Sequence, residues 1–325
     1  MGIIGVGMVG SQLHRYFEEE RGHVRRKDLF LYDANPKKDM QDDINQAHLI
    51  FVCVPTPWKK NGVCDISAVK TALGMISGEK VVVLKSTVPP GTTERLQKKF
   101  PKLALLFSPE FLTESRAWED MVRPDRQIVS ATAKAQPHAS TVLGLLPTAF
   151  FSSPGTLGTY NFIRINATEA EVGKYASNIF GALKVTYANM LADICFVLEN
   201  SLKKEGMKDA TVQYKNVRSI LAHDRRIGDA WLDVEHNLYR GFGGACLPKD
   251  MSAFIVSAKS LLAKLPRKTP EWKRFLKLIA FFEAAWAYNE TLLQSQGLSV
   301  EDVSIHDKEW LGRKLAKNIP KRKEA

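Results

Sequence analysis

The sequence is poor in cysteine, and its cysteines do not cluster. Cys53, Cys64, Cys195 and Cys246 are scattered over 325 residues without any CxxC spacing. Secreted disulfide frameworks and structural zinc sites both need clustered cysteines, so the pattern argues against both and is typical of a reducing compartment. We therefore expect a cytoplasmic protein without a metal site.

The sequence also lacks long apolar runs, a targeting signal and nucleic-acid motifs. No apolar run reaches the roughly 18 residues of a membrane span, and a strand pattern at the N-terminus leaves no room for a signal peptide. The net charge of +11 would suit nucleic acid, but no zinc-finger spacing or RNA-binding aromatic pattern accompanies it. It suits an enzyme of phosphorylated substrates equally well. We expect neither a membrane nor a nucleic-acid partner, and nucleic-acid binding is the weaker alternative.

The first half has the rhythm of a doubly wound α/β domain. Apolar segments that stop at Pro, Gly or Thr loops alternate with helical patterns up to about residue 155. Such segments fit parallel strands whose carboxyl ends line a ligand crevice. We predict a Rossmann-like domain over residues 1–160, with DRQIVSA as the strand that closes its sheet.

The second half predicts helices. Residues 161–300 show no strand-like alternation after Asn166, and one helical pattern extends over nearly forty residues. Thr168 and Glu171 match a capping box at its start, and Gly206 matches its stop. Residues 301–325 predict a basic, solvated tail. Because the long helix exceeds what one chain can cover, we expect a homodimer through it.

A glycine-rich turn follows the first strand pattern. Gly5-Val6-Gly7-Met8-Val9-Gly10 leads into an amphipathic helix, so the glycines would allow a tight turn, pyrophosphate approach and close helix packing. Asp33 ends the next strand, 23 residues after Gly10, where an acid can accept ribose hydroxyls and repel a 2′-phosphate. Lys37 and Lys38 weaken that exclusion slightly. We predict NAD as the cofactor; the alternative for Asp33 is an ordinary surface residue.

The segment GFGGACLPKD, residues 241–250, places one cysteine on a glycine-rich loop. A nucleophilic thiolate needs access and nearby positive charge, which the glycines and Lys249 provide. We infer that Cys246 is a nucleophile. Cys53 and Cys195 lie in apolar patterns and are predicted to be buried core residues.

Eight segments, in one order over residues 1 to about 290, resemble a known family. They are GVGMVG, VCVPTP, KSTVPPGT, SPEFLTE, PDRQIV, AEVGKYASN, RRIG and GFGGACLPKD. The chain resembles the UDP-glucose/GDP-mannose dehydrogenases, which are NAD-dependent nucleotide-sugar 6-dehydrogenases. The resemblance implies a Rossmann-like parallel sheet followed by an all-helical, 6-phosphogluconate-dehydrogenase-like domain. It implies oxidation of a sugar C6 alcohol to the uronic acid in two hydride transfers, through a cysteine-linked thiohemiacetal and thioester.

The resemblance also implies roles for individual residues. Cys246 would be the nucleophile, while Lys174 and Asn178 would stabilise alkoxide and oxyanion charge. Asp250 would work with that lysine on a bound water. Glu110 would serve as acid or base in thioester hydrolysis. The implied catalytic set is Cys246, Lys174, Asn178, Asp250, Glu110 and Thr87.

Two further sets come from the same resemblance. Thr87 would lie at the nicotinamide end of the cofactor, Glu114 near the cofactor and the catalytic water, and Arg226 would reach the substrate from a partner subunit. The cofactor set beyond the glycine turn and Asp33 is Lys38, Pro55, Thr56, Ser86, Thr87 and Glu114. The substrate set is Glu110, Phe111, Leu112, Lys174, Asn178, Arg226, Phe242 and Gly243.

Each implied residue has a structural alternative. On spacing alone, Lys174 and Asn178 would be solvent-facing or packing residues of a helix. Glu110 and Glu114 could cap a nearby helix, and Asp250 could be the N-cap of the helix that follows it.

The chain departs from the family pattern in two places. Only 75 residues follow Asp250, so we expect a shortened form without the C-terminal nucleotide-binding domain. Its substrate would be a nucleotide sugar or a sugar phosphate. In TESRAWED, Ser115 and Arg116 add bulk and charge where the family has a glycine and a small residue. A non-catalytic or regulatory NAD-binding protein is the alternative to an enzyme.

Overall fold

A computed structural model describes residues 1–59, 61–151, 159–234, 238–304 and 311; of Glu114 it describes the backbone. The chain forms two compact units, Met1–Lys174 and Tyr175–Ala325. The boundaries predicted at residues 160 and 300 stay predictions, and most of the predicted tail lies outside the described residues.

The described residues of the first unit form eight short strands in two sheets. They are β1 (Gly2–Ile4), β2 (Phe30–Tyr32), β3 (Leu49–Val52), β4 (Val81–Leu84), β5 (Ala104–Phe107), β6 (Arg126–Ile128), β7 (Ser130–Ala131) and β8 (Tyr160–Phe162). The main sheet has the order β2-β1-β3-β4-β5-β7, in which the first five strands are parallel and β7 is antiparallel to β5. The predicted Rossmann-like sheet is confirmed.

The segment DRQIVSA closes the sheet only in part. Its last residues form β7 at the edge of the main sheet, whereas β6 pairs in parallel with β8 in a separate two-stranded sheet. A change of direction between Ile128 and Ser130 explains this, because it divides one apolar run between two sheets.

The main sheet is covered on both faces, as a doubly wound sheet must be. Successive residues of a strand pack in separate cores on the two faces of the sheet. Ile3 and Phe51 belong to one cluster, and Ile4 and Ile50 belong to the other. The helices of this unit are α1 (Met8–Arg15), α2 (Ser67–Gly74), α3 (Thr92–Lys99), α4 (Ala117–Val122) and α5 (Ala139–Leu145). Strand order reverses between β1 and β3, so the loops after these strands flank the crevice where such folds bind ligands.

Helix α6 (Ala167–Lys204) begins in the first unit and continues into the second. Its 38 residues confirm the predicted long helix, and Gly206, with φ of +97°, follows its end as predicted. Its cap differs from the prediction. Asn166 Oδ1 accepts the Glu169 N–H at 2.9 Å, and Glu169 Oε2 accepts the Asn166 N–H at 2.8 Å, so the box starts two residues before Thr168.

The second unit is helical as far as the structure describes it. Its further helices are α7 (Tyr214–Ala222), α8 (Leu247–Leu262), α9 (Pro270–Gln294) and α10 (Val300–Val303). Helices α8 and α9 pack together, with the rings of Phe254 and Phe282 in an edge-to-face contact at 5.0 Å. Pro270 occupies the first turn of α9 behind a Thr269 cap, the position where proline costs no hydrogen bond.

Among the described helices, α6 is long and apolar enough by length and composition to cross a membrane. Its most apolar 18-residue window has a mean hydropathy of 1.3 and is 39% buried. The sequence analysis looked for an unbroken apolar run. Isolated polar residues interrupt the apolar letters of this window without lowering its mean hydropathy below the criterion. Core helices of soluble proteins meet the same criterion.

The buried carboxylate of Asp42 joins segments of the first unit near β2. Its pKa predicts how the stability of the protein depends on pH. Asp42 accepts hydrogen bonds from Arg25, Arg26 and the Leu31 N–H at 2.8 to 3.0 Å. Burial raises the pKa of Asp42, but these hydrogen bonds outweigh burial and lower the pKa from 3.8 to about 2. The stability contributed by the ionised group is thus present above pH 3.8 and is lost as the pH falls through about 2.

We expect Asp42→Asn to lower the unfolding free energy at pH 7 by on the order of 3 kcal/mol, because it leaves two arginines without their anion. Urea unfolding at several pH values would show the gap to the unsubstituted protein narrowing below about pH 4. Asp43→Asn is the control, since asparagine can keep the turn cap that Asp43 provides to Asn45. A gap that stays constant with pH would contradict this assignment.

Candidate functional site

The three glycines of the turn after β1 differ in what a side chain would meet at each position. Gly5 has φ of +89°, where side chains are strained, and a Cβ on Gly10 would lie 2.0 Å from the Gly5 carbonyl oxygen. A Cβ on Gly7 would meet nothing within 4 Å. The turn between β1 and α1 therefore leaves open space over Gly7, the position where a pyrophosphate approaches in dinucleotide sites.

Asp33 is attached to this turn. Its Oδ2 accepts the Val6 N–H and the Lys38 ammonium, each at 2.8 Å, and Lys38 also donates to the Val6 carbonyl at 2.8 Å. Burial raises the pKa of Asp33, but the bonds from Lys38, Asn35 and Val6 outweigh it, so the pKa lies below its ordinary value. An anion is thus fixed beside the turn, with lone pairs left to accept ribose hydroxyls.

The loops after β3 and β4 are tied together at the carboxyl edge of the sheet. The Thr56 hydroxyl donates to the Thr87 carbonyl at 2.7 Å, and the Ser86 hydroxyl donates to the Val54 carbonyl at 2.7 Å. Pro55 is exposed next to this link. The structure thus brings four predicted cofactor residues, Pro55, Thr56, Ser86 and Thr87, to adjoining loops.

These features fit NAD. The turn from Gly5 to Gly10, which includes Met8 and Val9, would hold the pyrophosphate, Asp33 would hold the adenosine ribose, and the loop with Thr87 lies further along the same edge. Glu114 begins a short turn, Glu114–Arg116; its side chain lies outside the described part of the chain.

Glu110 and Lys174 form a nearly buried ion pair in the first unit. The Lys174 ammonium lies 3.6 Å from Glu110 Oε1, and the two side chains are 5% and 9% exposed. Glu110 Oε2 accepts the Leu112 N–H at 2.7 Å, which orients the carboxylate. The solvent-facing alternative for Lys174 is therefore excluded.

Phe111 contacts cations on its ring, one of which the sequence analysis missed. The Lys174 ammonium lies 4.8 Å from the ring centroid, and the Arg126 guanidinium carbon lies 3.5 Å from it. Burial lowers the pKa of Arg126, and cation–π contact is one of the few interactions that favours charge in such surroundings. The motif PDRQIV contains Arg126, but only the fold reveals its stacking on Phe111.

Lys85 is a second missed residue. It follows the apolar strand β4, is 5% exposed and donates to the Ser108 hydroxyl at 3.2 Å. Burial lowers the pKa of Lys85 to about 8, with the charges of Cys53, Glu110 and Lys174 as smaller influences. Lys85, Glu110, Phe111 and Arg126 line one cavity of about 460 Å³. A lysine that ends a wholly apolar strand was the available signal.

Cys53 follows β3 in the same region, and its thiol stays protonated near neutral pH. Burial raises the pKa of the Cys53 thiol to about 12. This fits the prediction of a core residue. None of the four cysteines forms a disulfide.

In the second unit, Cys246 is the N-cap of α8. The positive end of a helix dipole favours negative charge on a sulfur at this position. Asp250, four residues on, is 1% exposed; its Oδ2 accepts from Asn178 and its Oδ1 from Lys249, each at 2.5 Å. The structure therefore brings Asp250 to Asn178, and it overturns the alternative of Asp250 as an N-cap.

Two side-chain amides hold the loop before Cys246. The Asn289 side chain accepts the Phe242 N–H and donates to the Phe242 carbonyl, at 2.7 and 3.1 Å. Gln296 does the same for the Arg240 backbone, at 2.8 and 3.0 Å. We call Asn289 and Gln296 the amide clamp. The sequence analysis missed it because the bonds span 47 and 56 residues.

The predicted substrate residues of the second unit differ in accessibility. Phe242 is 1% exposed and packs near Trp286 at a centroid distance of 6.0 Å, so its side chain anchors the loop. A Cβ on Gly243 would lie 2.1 Å from the Tyr239 hydroxyl. Arg226 is 84% exposed and bonds to Asp224 at 2.6 Å; its predicted reach to a partner's substrate stays a prediction.

Metal binding finds no support in the part of the chain that the structure describes. No group of three or more His, Cys, Asp or Glu side chains there could hold a metal ion.

Two glycine substitutions separate folding from cofactor binding. Gly10→Ala should lower the unfolding free energy by roughly 1–3 kcal/mol, because its Cβ overlaps the Gly5 carbonyl. Gly7→Ala should leave the melting temperature unchanged but weaken NAD binding about tenfold or more, since its methyl group occupies the open space. Thermal unfolding and calorimetric titration with NAD measure the two effects. Unchanged NAD affinity in Gly7→Ala would contradict the predicted pyrophosphate position.

Comparison with known proteins places this geometry in a family. The NAD binding domain of the UDP-glucose/GDP-mannose dehydrogenase family matches residues 26–143, and its central domain matches residues 168–269. The UDP-glucose 6-dehydrogenase of Pseudomonas aeruginosa is 28% identical over an alignment of 302 positions, which covers 79% of this chain and 61% of that protein. AglM, the UDP-glucose 6-dehydrogenase of Haloferax volcanii, is 32% identical over 67% of this chain and 50% of its own length. The chain thus spans about half to three-fifths of these relatives.

Comparison with solved structures supports the same fold. A UDP-glucose dehydrogenase from the archaeon Pyrobaculum islandicum superposes with a TM-score of 0.67 at 26% identity, over 89% of this chain and 67% of that one. A Mycobacterium tuberculosis 3-hydroxyisobutyrate dehydrogenase shares the fold, with a TM-score of 0.54 at 12% identity, over 90% of this chain and 98% of its own. On the two domain matches together, the chain belongs to the UDP-glucose/GDP-mannose dehydrogenase family and contains its NAD-binding domain.

Proposed function

We propose that this protein oxidises the C6 alcohol of a nucleotide sugar, of the UDP-glucose type, to the uronic acid. NAD, when bound, accepts a hydride in each of two oxidations, so one alcohol, two NAD⁺ and one water become one carboxylate, two NADH and three protons. The observation that carries the proposal is Cys246 at the N-terminus of α8, four residues before a buried Asp250 that is bonded to Asn178.

Cys246 supplies the covalent step. Its thiolate adds to the aldehyde carbon formed by the first oxidation, and the resulting thiohemiacetal is oxidised to a thioester. Water then attacks the thioester carbon, and the C–S bond breaks to release the acid and the thiolate. Covalent attachment keeps the reactive aldehyde bound between the oxidations.

Polar side chains on three segments, α6, α8 and the loop after β5, support these steps. Lys174 donates to the oxygen that carries negative charge in each tetrahedral species, and Asn178, one turn further along α6, is the second donor. Glu110, held by Lys174 and the Leu112 N–H, takes the proton from water in thioester hydrolysis. Asp250 completes the polar surroundings of that water.

The decisive assay follows absorbance at 340 nm with UDP-glucose, GDP-mannose and the corresponding sugar phosphates. Two NADH per sugar are expected from the unsubstituted protein. Cys246→Ser should lose at least about 10³-fold in the rate of acid formation, because the hydroxyl is a far weaker nucleophile than the thiolate. Cys195→Ser is the control, since Cys195 is buried within α6.

Three other results of this assay would change the proposed function. One NADH per sugar, or full acid formation by Cys246→Ser, would overturn the thioester route. Turnover of sugar phosphates alone would assign the smaller substrate. NAD binding without turnover of any of these compounds would support a non-catalytic, regulatory protein.

We also propose that the protein is a cytoplasmic homodimer, formed through α6. Phe180, Tyr187 and Ile194 recur every seven residues on this helix and are 54% to 61% exposed. Met190 and Val197 follow the same interval, at 37% and 63% exposure. Two apolar series at a seven-residue repeat form the seam of a coiled coil. A second copy covers this heptad seam, and Arg226 then serves the partner's substrate.

Ile194→Glu should break the dimer, because a charge in the seam faces its own copy. Light scattering after gel filtration should give about 36.4 kDa for the variant and twice that mass for the unsubstituted protein. Ile220→Glu is the control, since Ile220 is 75% exposed on α7, outside the seam. A monomeric unsubstituted protein would refute the dimer, and a chain that stays in solution only with detergent would favour insertion of α6 into a membrane.

A further inference from the structure

Glu171 is a fully buried carboxylate that does not cap its own helix. It is 0% exposed and is the fifth residue of α6. Its Oε2 accepts the N–H groups of Gly91 and Thr92, and its Oε1 accepts the N–H and the hydroxyl of Thr93, at 2.7 and 2.6 Å. Four donors from a single helix end thus surround one side chain of another helix.

The position of Glu171 at the N-terminus of α3 offsets the free-energy cost of burying its carboxylate. An isolated buried carboxylate is strongly destabilising unless hydrogen bonds satisfy its oxygens. Here the donors are the orphan N–H groups of α3, and the positive end of that helix adds a favourable field. Burial raises the pKa of Glu171, and the bonds from Thr93, Gly91 and Thr92 oppose this rise. The contact satisfies the Glu171 carboxylate of α6 and the N–H groups at the start of α3, and neither helix supplies an equivalent partner itself.

This contact is adjacent to two parts of the proposed catalytic machinery. Lys174 follows Glu171 by three residues, so both lie on one face of α6, and the Lys174 ammonium is 3.6 Å from Glu110. On the other side, the segment Val88-Pro89-Pro90-Gly91 connects Thr87 to the start of α3 at Thr92. The two prolines restrict the backbone between Thr87 and the donors, so fixing the start of α3 also fixes the loop that holds Thr87.

We propose that Glu171 is a positioning residue, which locks the start of α6 to the N-terminus of α3 and thereby sets the Lys174 ammonium at Glu110. Its kinetic consequence rests on the proposed function, whereas its structural consequence does not. Nothing in the reaction itself requires Glu171 to touch substrate or cofactor.

The test replaces Glu171 by glutamine, which keeps the size of the side chain but turns an NH2 group toward donors. Glu169→Gln is the matched control, because it removes the same charge from the same turn, where Glu169 is exposed and caps Asn166. Thr93→Val removes one of the four donors and should give an intermediate effect.

Three measurements are expected to change in Glu171→Gln and not in the control. Amide hydrogen exchange of Gly91 to Thr93 should accelerate at least about tenfold, since exchange follows local opening. Acetylation of Lys174 by acetic anhydride, read by mass spectrometry, should also accelerate about tenfold as the lysine leaves its buried pair. The kcat should fall about 10²-fold, as expected for a displacement of roughly 1 Å, while the Kd for NAD stays unchanged.

The outcomes separate this inference from the proposed function. Unchanged exchange and unchanged Lys174 acetylation in Glu171→Gln would overturn the inference even if the enzyme is active. Faster exchange with Lys174 acetylation at its original rate would reduce Glu171 to a structural anchor and also overturn it. If the unsubstituted protein has no dehydrogenase activity, the proposed function fails, and the exchange and acetylation rates still decide the role of Glu171.

Discussion

One stretch of helix, from Glu171 to Asn178, determines how the polar groups of this protein are placed. Within these eight residues α6 accepts the N-terminus of α3, pairs with Glu110 and bonds to Asp250. Helical geometry fixes the three side chains relative to one another, because their backbone hydrogen bonds are all internal.

Three interior carboxylates of the first unit are tolerated because each has a specific partner. Asp42 has two arginines, Glu171 has a helix end, and Glu110 has Lys174. Lys85 differs, since its described hydrogen bond goes to a neutral hydroxyl and burial lowers its pKa to about 8. The pKa of Lys85 therefore lies closer to neutrality than that of an exposed lysine.

The sequence predicted local features better than contacts between distant segments. The glycine turn after β1, the position of Asp33 after β2 and the end of α6 before Gly206 follow from residues close together in the chain. The capping box was misassigned because Asn166–Glu169 and Thr168–Glu171 have the same spacing, and only the position of α3 decides between them. Lys85, Arg126 and the amide clamp were missed because their partners lie many residues away and depend on strand order or on helix packing.

The apolar residues of α6 lie on more than one face of the helix. Tyr175 and Ile179 are buried in the chain's own core, whereas Val172 and Met190 are 47% and 37% exposed. A straight helix repeats every 3.6 residues, and a seven-residue series drifts slowly around it. Two apolar faces can therefore share one helix and read as a single run of hydrophobic letters. Burial separates them: one face packs in the fold of this chain, whereas the residues of the heptad seam are exposed.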